Sequence, residues 1–562
     1  MQTRIGSFFL LAFFSLAIFS CKKTNKLGLQ VPKDAAMVFH VNGKAINSKI
    51  SWDEMKQNTL FQEALSDSSI SAVSKAAMEN PENTGVDIQS DMICYLKNDA
   101  DGGYFVFEGA LKDAEKFKKF TVEAAKGASV TEKNGMSMLK NDRVLTTWKK
   151  DRFLVIADIP EMKIATPAFN RNDSGSTVTT AASIRNLEAL APGLYEVKEA
   201  ESMGKDSRFG QVMELEGDMH FWINSEILMK NTPAMGAMSM LNISKLYNGN
   251  ATGGAVNFEN GKIVANTLSF AGKEMLDIWK KYSGSKINAD MVKRLPGNDV
   301  VGMVALNFKP QGLLEIVKLT GMDGLINMGT AQMGFNLDDF VKANGGDLFF
   351  AATDLKADST GKAPDVNMLF SVSIGDKAAF EKLLAAGKKM GANEASAFGK
   401  KMAYNANDKF FAIGNNKENI DKFIAGGTNA NIAMLDKISG SPMGGFIDFQ
   451  KIFPVARPEA MRDSLEFETF KAMEKVWENM LFTGGQMKGD AMSGHFEVNL
   501  KDKNVNSLKQ LNGFMADMAK IEKAKKARRL SVSYDDVDYS DLKVEDVPVI
   551  MAPVEEKAVK TP

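Results

Sequence analysis

The feature that most constrains this chain is an internal similarity, because short segments of its first half return in the same order in its second half. A run of aromatic residues followed by a helix-like segment occurs near residue 110 and again near residue 375. The positions that correspond are Phe107 and Phe370, Leu111 and Ile374, Asp113 and Asp376, and Phe117 and Phe380. One such match is weak, so the order of the neighbouring matches carries the argument.

The neighbouring segments follow in the same order. The matched pairs are VPKDAAMVFHVN (31 to 42) with LPGNDVVGMVALN (295 to 307), GVDI (85 to 88) with GFNL (334 to 337), SDMICYL (90 to 96) with GDLFFAA (346 to 352), DRFLVIAD (151 to 158) with DKFFAIGN (408 to 415), and Gly253–Gly254 with Gly484–Gly485. We therefore predict two copies of one domain, residues 31–290 and 291–525, each of ordinary domain size. The alternative is that generic strand and helix patterns align without common origin.

Each predicted copy mixes strands and helices. Short apolar runs such as AAMVFHV, MICYL, YFVFEG and RFLVIAD predict strands, and their continuous apolar character predicts a sheet covered on both faces. Helix signals lie between them: Ser51 and Glu54 have capping-box spacing, and Asp113 precedes an amphipathic run. A hairpin is predicted at Asn260 and Gly261. The sequence thus predicts an α+β fold: two tandem copies with largely antiparallel sheets and covering helices.

The first residues predict where in the cell the protein is located. Arg4 precedes an apolar run from Phe8 to Phe19 that is too short to span a bilayer, so residues 1–20 are predicted to be a signal peptide. Ile18 and Ser20 before Cys21 resemble the lipobox of bacterial lipoproteins, which implies that Cys21 becomes the first mature residue and carries acyl chains. An ordinary secretory peptide with an incidental cysteine is the alternative. Residues 21–30 then form a polar tether.

The ends of ordered structure are also predicted. Residues 526–562 are basic, then acidic, and contain Pro548, Pro553 and Pro562, so we expect a disordered tail. The polar, turn-rich segment 170–183 is predicted to be an exposed loop.

Composition excludes one class of partner. The chain has 69 basic and 70 acidic residues, a formal net charge of −1, and this balance argues against a nucleic-acid partner. Cys94 is the only cysteine besides Cys21, so with Cys21 acylated no intramolecular disulfide can form. Cys94 lies in the apolar run MICYL and is predicted to be a small buried hydrophobe.

The sequence offers few candidates for catalytic or metal-binding residues. His40, His220 and His495 have no His or Cys partner at metal-ligand spacing, and His40 and His220 are expected to be structural. Ser202 and Lys205 have the S-x-x-K spacing of penicillin-binding enzymes, but the companion K-T-G is missing. We therefore assign no catalytic residue, no metal ligand and no cofactor.

Methionine is abundant, with 34 residues, and Met235, Met238 and Met240 lie close together in the sequence. Thioether clusters can bind Cu(I), but methionine is also a flexible filler of cores and binding surfaces. Because methionines are spread through both copies, the filler interpretation is preferred and copper binding is a minor hypothesis.

The ending SCKK, the start VPKDAAMVFHVNGKAI and the duplicated GVDI and SDMICYL blocks resemble uncharacterised lipoproteins of Bacteroidetes-type bacteria, catalogued as domains of unknown function. The resemblance implies an outer-membrane lipid anchor through Cys21. In those bacteria an acidic signal after the anchor cysteine is associated with surface export. This chain has Lys22 and Lys23 there, which favours the periplasmic side.

Two function classes stay open. The first is a non-enzymatic binding or scaffolding protein of the cell envelope, whose partner is an envelope protein or a small ligand, since two similar domains on one tether can bind bivalently. The second is a periplasmic hydrolase of unfamiliar type with Ser202 and Lys205 as candidates. The missing polar constellations favour the first.

The anchor hypothesis gives a direct prediction. A Cys21→Ser variant is expected to move from the membrane fraction to the soluble fraction of its host, because stable anchoring needs two or more acyl chains and their attachment requires this cysteine. Incorporation of an alkyne-labelled fatty acid into the wild type, but not into the variant, measures the same event. Labelling that persists in Cys21→Ser would contradict the prediction.

Overall fold

The computed structural model describes residues 25–535 except 69, 100–101, 160–184, 231–240, 298, 358–363, 390–395, 398–399, 429 and 433. Cys21, the predicted loop 170–183, the three clustered methionines and residues 536–562 lie outside the described residues. In the described part, no helix combines the length and apolar character that a membrane span needs.

The fold mixes helices and strands around one large antiparallel sheet. The strands are β1 Ala35–Val41, β2 Met92–Asp99, β3 Gly102–Ala110, β4 Thr131–Lys133, β5 Met136–Asn141, β6 Val144–Trp148, β7 Arg152–Ile159, β8 Met219–Asn224, β9 Ala251–Glu259, β10 Lys262–Phe270, β11 Val300–Asn307, β12 Asn344–Lys356, β13 Asp365–Ile374, β14 Ser396–Ala397, β15 Lys400–Lys401, β16 Ala403–Ala406, β17 Phe410–Gly414, β18 Met443–Asp448, β19 Trp477–Lys488 and β20 Ala491–Leu500.

The helices lie between these strands and after the last one. They are α1 Gly43–Lys49, α2 Trp52–Lys56, α3 Thr59–Ser66, α4 Ala72–Glu79, α5 Ala114–Ala124, α6 Leu187–Tyr195, α7 Ser207–Met213, α8 Ser225–Lys230, α9 Lys273–Tyr282, α10 Ala289–Val292, α11 Pro310–Thr320, α12 Asp323–Ala331, α13 Leu337–Ala343, α14 Lys377–Lys389, α15 Lys417–Ala425, α16 Leu435–Ile438, α17 Phe449–Ala460, α18 Ser464–Val476 and α19 Ser507–Asp535. Short 3-10 turns include Leu27–Gln30, Pro81–Thr84 and Met203–Lys205.

Every neighbouring pair in the large sheet is antiparallel. From one edge to the other, the strand registers give the order β4-β5-β6-β7-β3-β2-β1-β8-β9-β10-β20-β19-β18-β11-β12-β13-β17-β16. The order β7-β3-β2-β1-β8-β9-β10 on one side of the centre has its counterpart β17-β13-β12-β11-β18-β19-β20 on the other. Strands β14 and β15 form a separate small ladder.

The antiparallel arrangement agrees with the sequence prediction, but the two predicted copies share one sheet. Strand β10 pairs with β20 from Lys262 opposite Asn499 to Phe270 opposite Ala491. Each of these strands would otherwise be the last strand of its half and would expose an unpaired edge. Joining them satisfies both sets of backbone groups, so the two halves become one continuous structure.

The two largest clusters of buried residues lie on the same face of this sheet, which we call the core face. One cluster includes Val38 and Trp222 and packs under α6 and α7. The other includes Met303 and Phe349 and packs under α10, α15 and α16. The strand register shows that both clusters lie on this face, because residues directly opposite each other in antiparallel strands point to the same side of the sheet.

Local signals in the sequence were mostly confirmed. Ser51 and Glu54 form the predicted capping box, and Asp113 caps α5 by accepting hydrogen bonds from the backbone N–H groups of residues 115 and 116. The hairpin turns at Asn260 and Gly261, between β9 and β10. The helix that begins after Ser51 is short and ends at Lys56, because Asn58 caps a new helix, α3.

The predicted boundary of the tail was too early. Helix α19 continues through the basic residues to Asp535, beyond the expected end at 525. Lys525 Nζ lies 3.0 Å from a carboxylate oxygen of Glu466, and Arg528 Nη1 lies 2.6 Å from one of Asp463. Both acidic residues belong to the start of α18, so part of the basic run is a packed helix with acidic partners.

Engineered cysteines can test the central pairing. Thr267 and Gly494 are directly opposite in β10 and β20, and a Cβ atom on Gly494 would lie 2.6 Å from Thr267 Oγ1. In a mature chain freed of Cys21 and Cys94, we expect Thr267→Cys/Gly494→Cys to form a disulfide on mild oxidation, since facing strand residues have suitable Cα separations. Intact-mass spectrometry detects the bond.

The control is Thr267→Cys/Ser493→Cys. Ser493 is opposite Leu268, so its side chain points to the other face of the sheet from Thr267. This control should stay reduced. Equal cross-linking of both variants would contradict the register.

Candidate functional site

The face opposite the core face is notable for a band without charged side chains. One row of facing residues crosses the sheet from β5 to β16 and contains only apolar residues, glycine and threonine: Leu139, Thr146, Val155, Phe107, Cys94, Phe39, Phe221, Gly254, Thr267, Gly494, Gly484, Met443, Leu306, Leu348, Val372, Phe411 and Ala406. We call this row and its uncharged neighbours the apolar floor.

Part of the apolar floor is exposed. Phe39 is 36% exposed, Val304 38%, Phe350 40% and Phe496 43%. Val38, next to Phe39, is 1% exposed on the core face. The sequence prediction that both faces are covered therefore holds for the core face and only partly for this one. Aromatic side chains left open on a sheet face are typical of a binding surface.

Helix α5 covers one end of the floor incompletely and leaves a cavity of about 490 Å³ beneath it. Its main walls are Phe107, Phe117, Phe120, Leu139, Phe153 and Val155. This volume lies in the range of small-molecule sites, which are mostly apolar clefts of about 300–1,000 Å³.

The chain fixes α5 over this end of the floor through a glycine turn. Gly85 has φ of +78°, and a Cβ atom there would lie 2.2 Å from the carbonyl oxygen of Asp113. The carbonyl of Gly85 accepts hydrogen bonds from the backbone N–H groups of residues 112 and 113. A side chain at residue 85 would push the start of α5 away, so glycine is required for this close approach.

Aromatic contacts shape the cavity walls. The ring of Phe117 lies 5.0 Å from that of Phe153 and 5.6 Å from that of Trp148, centroid to centroid. Phe107 meets Phe153 edge to face at 5.6 Å. Such pairs stabilise one arrangement of the rings, so contacts within the chain set the shape of the walls.

The polar groups of the cavity lining are few and uncharged. They are the hydroxyl groups of Thr84, Thr121 and Thr146 and the amide of Asn141. The hydroxyl of Thr84 donates to the carbonyl of Pro81 at 2.6 Å. This lining suits an apolar molecule.

A second apolar cavity of about 330 Å³ lies nearer the middle of the sheet, between α9 and α11. Trp279, Tyr282 and Leu313 contribute from the helices, and Leu306 and Met443 contribute from the floor. The two cavities therefore lie over parts of the same uncharged band, with exposed phenylalanine rings on the strands between them.

A different polar feature lies on the core face of the first half. His40 of β1 and His220 of β8 are opposite each other, and their Nδ1 atoms are 3.1 Å apart. Both residues are buried, with 4% and 6% exposure. His40 Nε2 lies 3.1 Å from Asp91 Oδ1, although without the geometry of a linear hydrogen bond.

The hydrogen bonds define the proton positions of this pair. His220 Nε2 lies 2.8 Å from the carbonyl oxygen of Leu215, which can only accept, so this nitrogen carries a proton. A neutral His220 then accepts at Nδ1 from the Nδ1–H of His40. Burial lowers the pKa of His220, and the nearby His40 lowers it further, which keeps His220 neutral.

The corresponding strands of the second half lack this polar group. There Ala305 of β11 is opposite Gly444 of β18. Glu108 is a second buried polar residue of the first half, and it is paired with Arg152. It lies two strands from His40 in the same row of facing residues, and Ser371 lies two strands from Ala305 in the corresponding row, so Ser371 is the counterpart of Glu108. Burial raises the pKa of Glu108 although Arg152 opposes the shift. The two halves thus differ in their buried polar residues.

The structure gives the serine–lysine candidate ordinary contacts. Ser202 is 1% exposed, and its hydroxyl donates to the carbonyl of Glu199 at 2.8 Å. Lys205 Nζ lies 2.5 Å from the carboxylate of Glu199. Because the serine proton is directed to a backbone carbonyl and the hydroxyl is buried, these contacts give no support to an activated nucleophile.

The remaining residues considered from the sequence are Cys94, possible metal ligands and His495. Cys94 lies in the apolar floor and is half-buried, and burial raises the pKa of its thiol. Among the described residues, no cluster of three or more His, Cys, Asp or Glu side chains could hold a metal ion. The ring of His495 is hydrogen-bonded to a different residue: its Nδ1 lies 2.9 Å from Asn266 Oδ1.

Comparisons with known proteins give little. No family model and no curated protein matches the chain. Among solved structures, crystal forms I and IV of TP0453 align with TM-scores of 0.24 and 0.25 and identities of 11% and 12%. They cover 44% of this chain and 78% and 81% of theirs. At such TM-scores the likeness carries no argument about fold or function.

The histidine pair predicts a pH dependence of stability. Since the pKa of His220 is lowered in the folded chain, the unfolded chain binds the extra proton, near pH 6.5. The associated stability is present above pH 6.5 and is lost as the pH falls. The wild type should therefore lose more stability than His220→Gln between pH 7.5 and pH 5.

The measurement is urea unfolding of both proteins at the two pH values. Because the comparison is a difference, the contribution of Glu108, whose raised pKa acts in the opposite direction, cancels. Parallel losses of stability in the two proteins would show that His220 does not titrate in this way.

Proposed function

We propose that this chain is a lipid-anchored protein of the cell envelope that binds an apolar small molecule and catalyses no reaction on it. The observation that carries the proposal is the cavity of about 490 Å³ under α5, whose walls are apolar and whose polar groups are uncharged. The second cavity over the same floor supports it. Binding in such a site is driven by removal of apolar surface from water.

The anchor is part of the proposal. Acylation of Cys21 would hold the chain at the outer membrane, on the periplasmic side, with Lys22 and Lys23 following the anchor. A binding protein in that position can take up an apolar molecule close to the lipid surface. Membership in the Bacteroidetes-type lipoproteins of unknown function is proposed on the same sequence features.

We also infer that the chain arose by duplication of one α+β domain. The repeated strand order supports this, as does an irregularity in register at the same place in β1 and β11, before Met37 and before Gly302. The register also pairs positions as the sequence alignment does: Cys94 and Phe350 occupy equivalent places, as do Phe107 and Phe370.

Two aligned segments need adjustment within this proposal. Phe153 packs on Phe117 in the first half, and Phe411, not Phe410, packs on Phe380 in the second. The alignment of residues 151–158 is therefore one residue out of step. The alignment of the two glycine pairs is also shifted. Phe221 of β8 and Gly445 of β18 occupy equivalent places, and the residues opposite them are Gly254 and Phe482, so the counterpart of Gly254 is Phe482 and not a glycine.

A fluorescent probe tests the binding function. The mature chain carrying Cys21→Ser has no acyl chain of its own and can be titrated with N-phenyl-1-naphthylamine, which fluoresces in apolar surroundings. We expect saturable binding that Ala124→Trp weakens by about tenfold or more, because this exposed alanine lines the cavity and a tryptophan there fills its entrance.

The matched control is Glu115→Trp, which adds the same side chain at an exposed position of α5 outside the cavity lining. It should bind the probe as the unsubstituted chain does. Absence of saturable binding, or equal loss in both variants, would refute the α5 cavity as the binding site.

A further inference from the structure

A second groove lies on the other side of α5 from the apolar cavity. It has a volume of about 410 Å³ and is formed between α4 and α5 by Ala72, Val73, Ala76, Asn83, Lys116, Lys119, Phe120 and Glu123. We call it the lysine groove. Unlike the cavity under α5, it carries charged side chains.

The lysine groove and the apolar cavity are adjacent. Phe120 lines both of them, and the consecutive residues Asn83 and Thr84 line one each. A molecule that enters the apolar cavity past Phe120 therefore keeps its outer end within reach of the lysine groove. An apolar interior with a polar groove at its entrance suits a molecule that has one apolar end and one polar end.

The charges favour an anionic end. Within the described part of the chain, neither Lys116 nor Lys119 forms an ion pair within 4.0 Å, whereas their neighbours Lys112 and Lys118 pair with Glu82 and Glu132. Lys116 interacts with Glu82 only over a longer distance. Glu123 also lines the groove, so the local balance is one positive charge. Exposed cations that form no short-range ion pair attract an anion to this side of the cavity.

We propose that the ligand is a single-chain anionic amphiphile, with its hydrocarbon chain in the cavity under α5 and its anionic head at Lys116 and Lys119. This inference rests on the proposed binding function and adds the chemical class of the ligand. The head is a carboxylate, as in a free fatty acid, or a phosphate, as in a lysophospholipid. A double-chain phospholipid is disfavoured, since one cavity of this size accepts one chain.

Competition experiments test the head group. Dodecanoate, dodecanol and dodecyl phosphate are used to displace N-phenyl-1-naphthylamine from the mature Cys21→Ser chain and from the same chain with Lys116→Gln/Lys119→Gln. We expect the double substitution to weaken at least one of the two anions by about tenfold, since two exposed charge contacts are lost, and to leave dodecanol unchanged. High salt should reduce the same difference.

The matched control is Lys388→Gln/Lys389→Gln, which removes two exposed lysines from the end of α14, the helix that corresponds to α5 in the second half. It should leave all three affinities unchanged. Which anion responds more strongly to the double substitution at residues 116 and 119 distinguishes a carboxylate head from a phosphate head.

The outcomes separate this inference from the proposed function. If the probe and dodecanol bind but neither anion depends on the two lysines, the cavity binds apolar molecules and the anionic class is wrong. If the probe does not bind at all, both proposals fail. If the control variant reduces anion affinity as much as the test variant, general charge accounts for the effect and the assigned head-group site is wrong.

Discussion

The pairing of β10 with β20 is the interaction on which the rest of the structure depends. It joins the last strands of two similarly ordered halves along nine facing residue pairs, so neither half keeps an open central edge. Because facing residues point to the same side, this ladder also aligns the faces of the two halves. Both large buried clusters therefore lie on one face, and the apolar floor runs continuously over the other.

The continuous floor accounts for the position of the cavities. This face of the sheet is covered only in part: α5, α9 and α11 lie over parts of the floor, while Phe39 and Phe350 remain exposed. Each cavity lies where such a helix covers the floor incompletely. The same apolar residues that build the sheet thus line the surface to which the proposed binding function is assigned.

The sequence predicted features that depend on neighbours along the chain. The limits of β1, the caps at Ser51 and Asp113 and the turn at Asn260 were found because each depends on a few adjacent residues. Features that depend on distant pairing were missed. His40 and His220 are 180 positions apart, and only the register of β1 with β8 brings their rings together. The cavity was missed for the same reason, although the amphipathic run after Asp113, which forms α5, was recognised.

Native mass spectrometry of the full-length protein, extracted in mild detergent from its own host's membranes, tests the proposed ligand site most directly. We expect a discrete mass to stay bound beyond the acyl chains of the anchor, and we expect this mass to be a single-chain anionic amphiphile. A spectrum that contains only the lipidated protein, under conditions in which added dodecanoate is retained, would contradict the claim that the cavity is a ligand site in the cell.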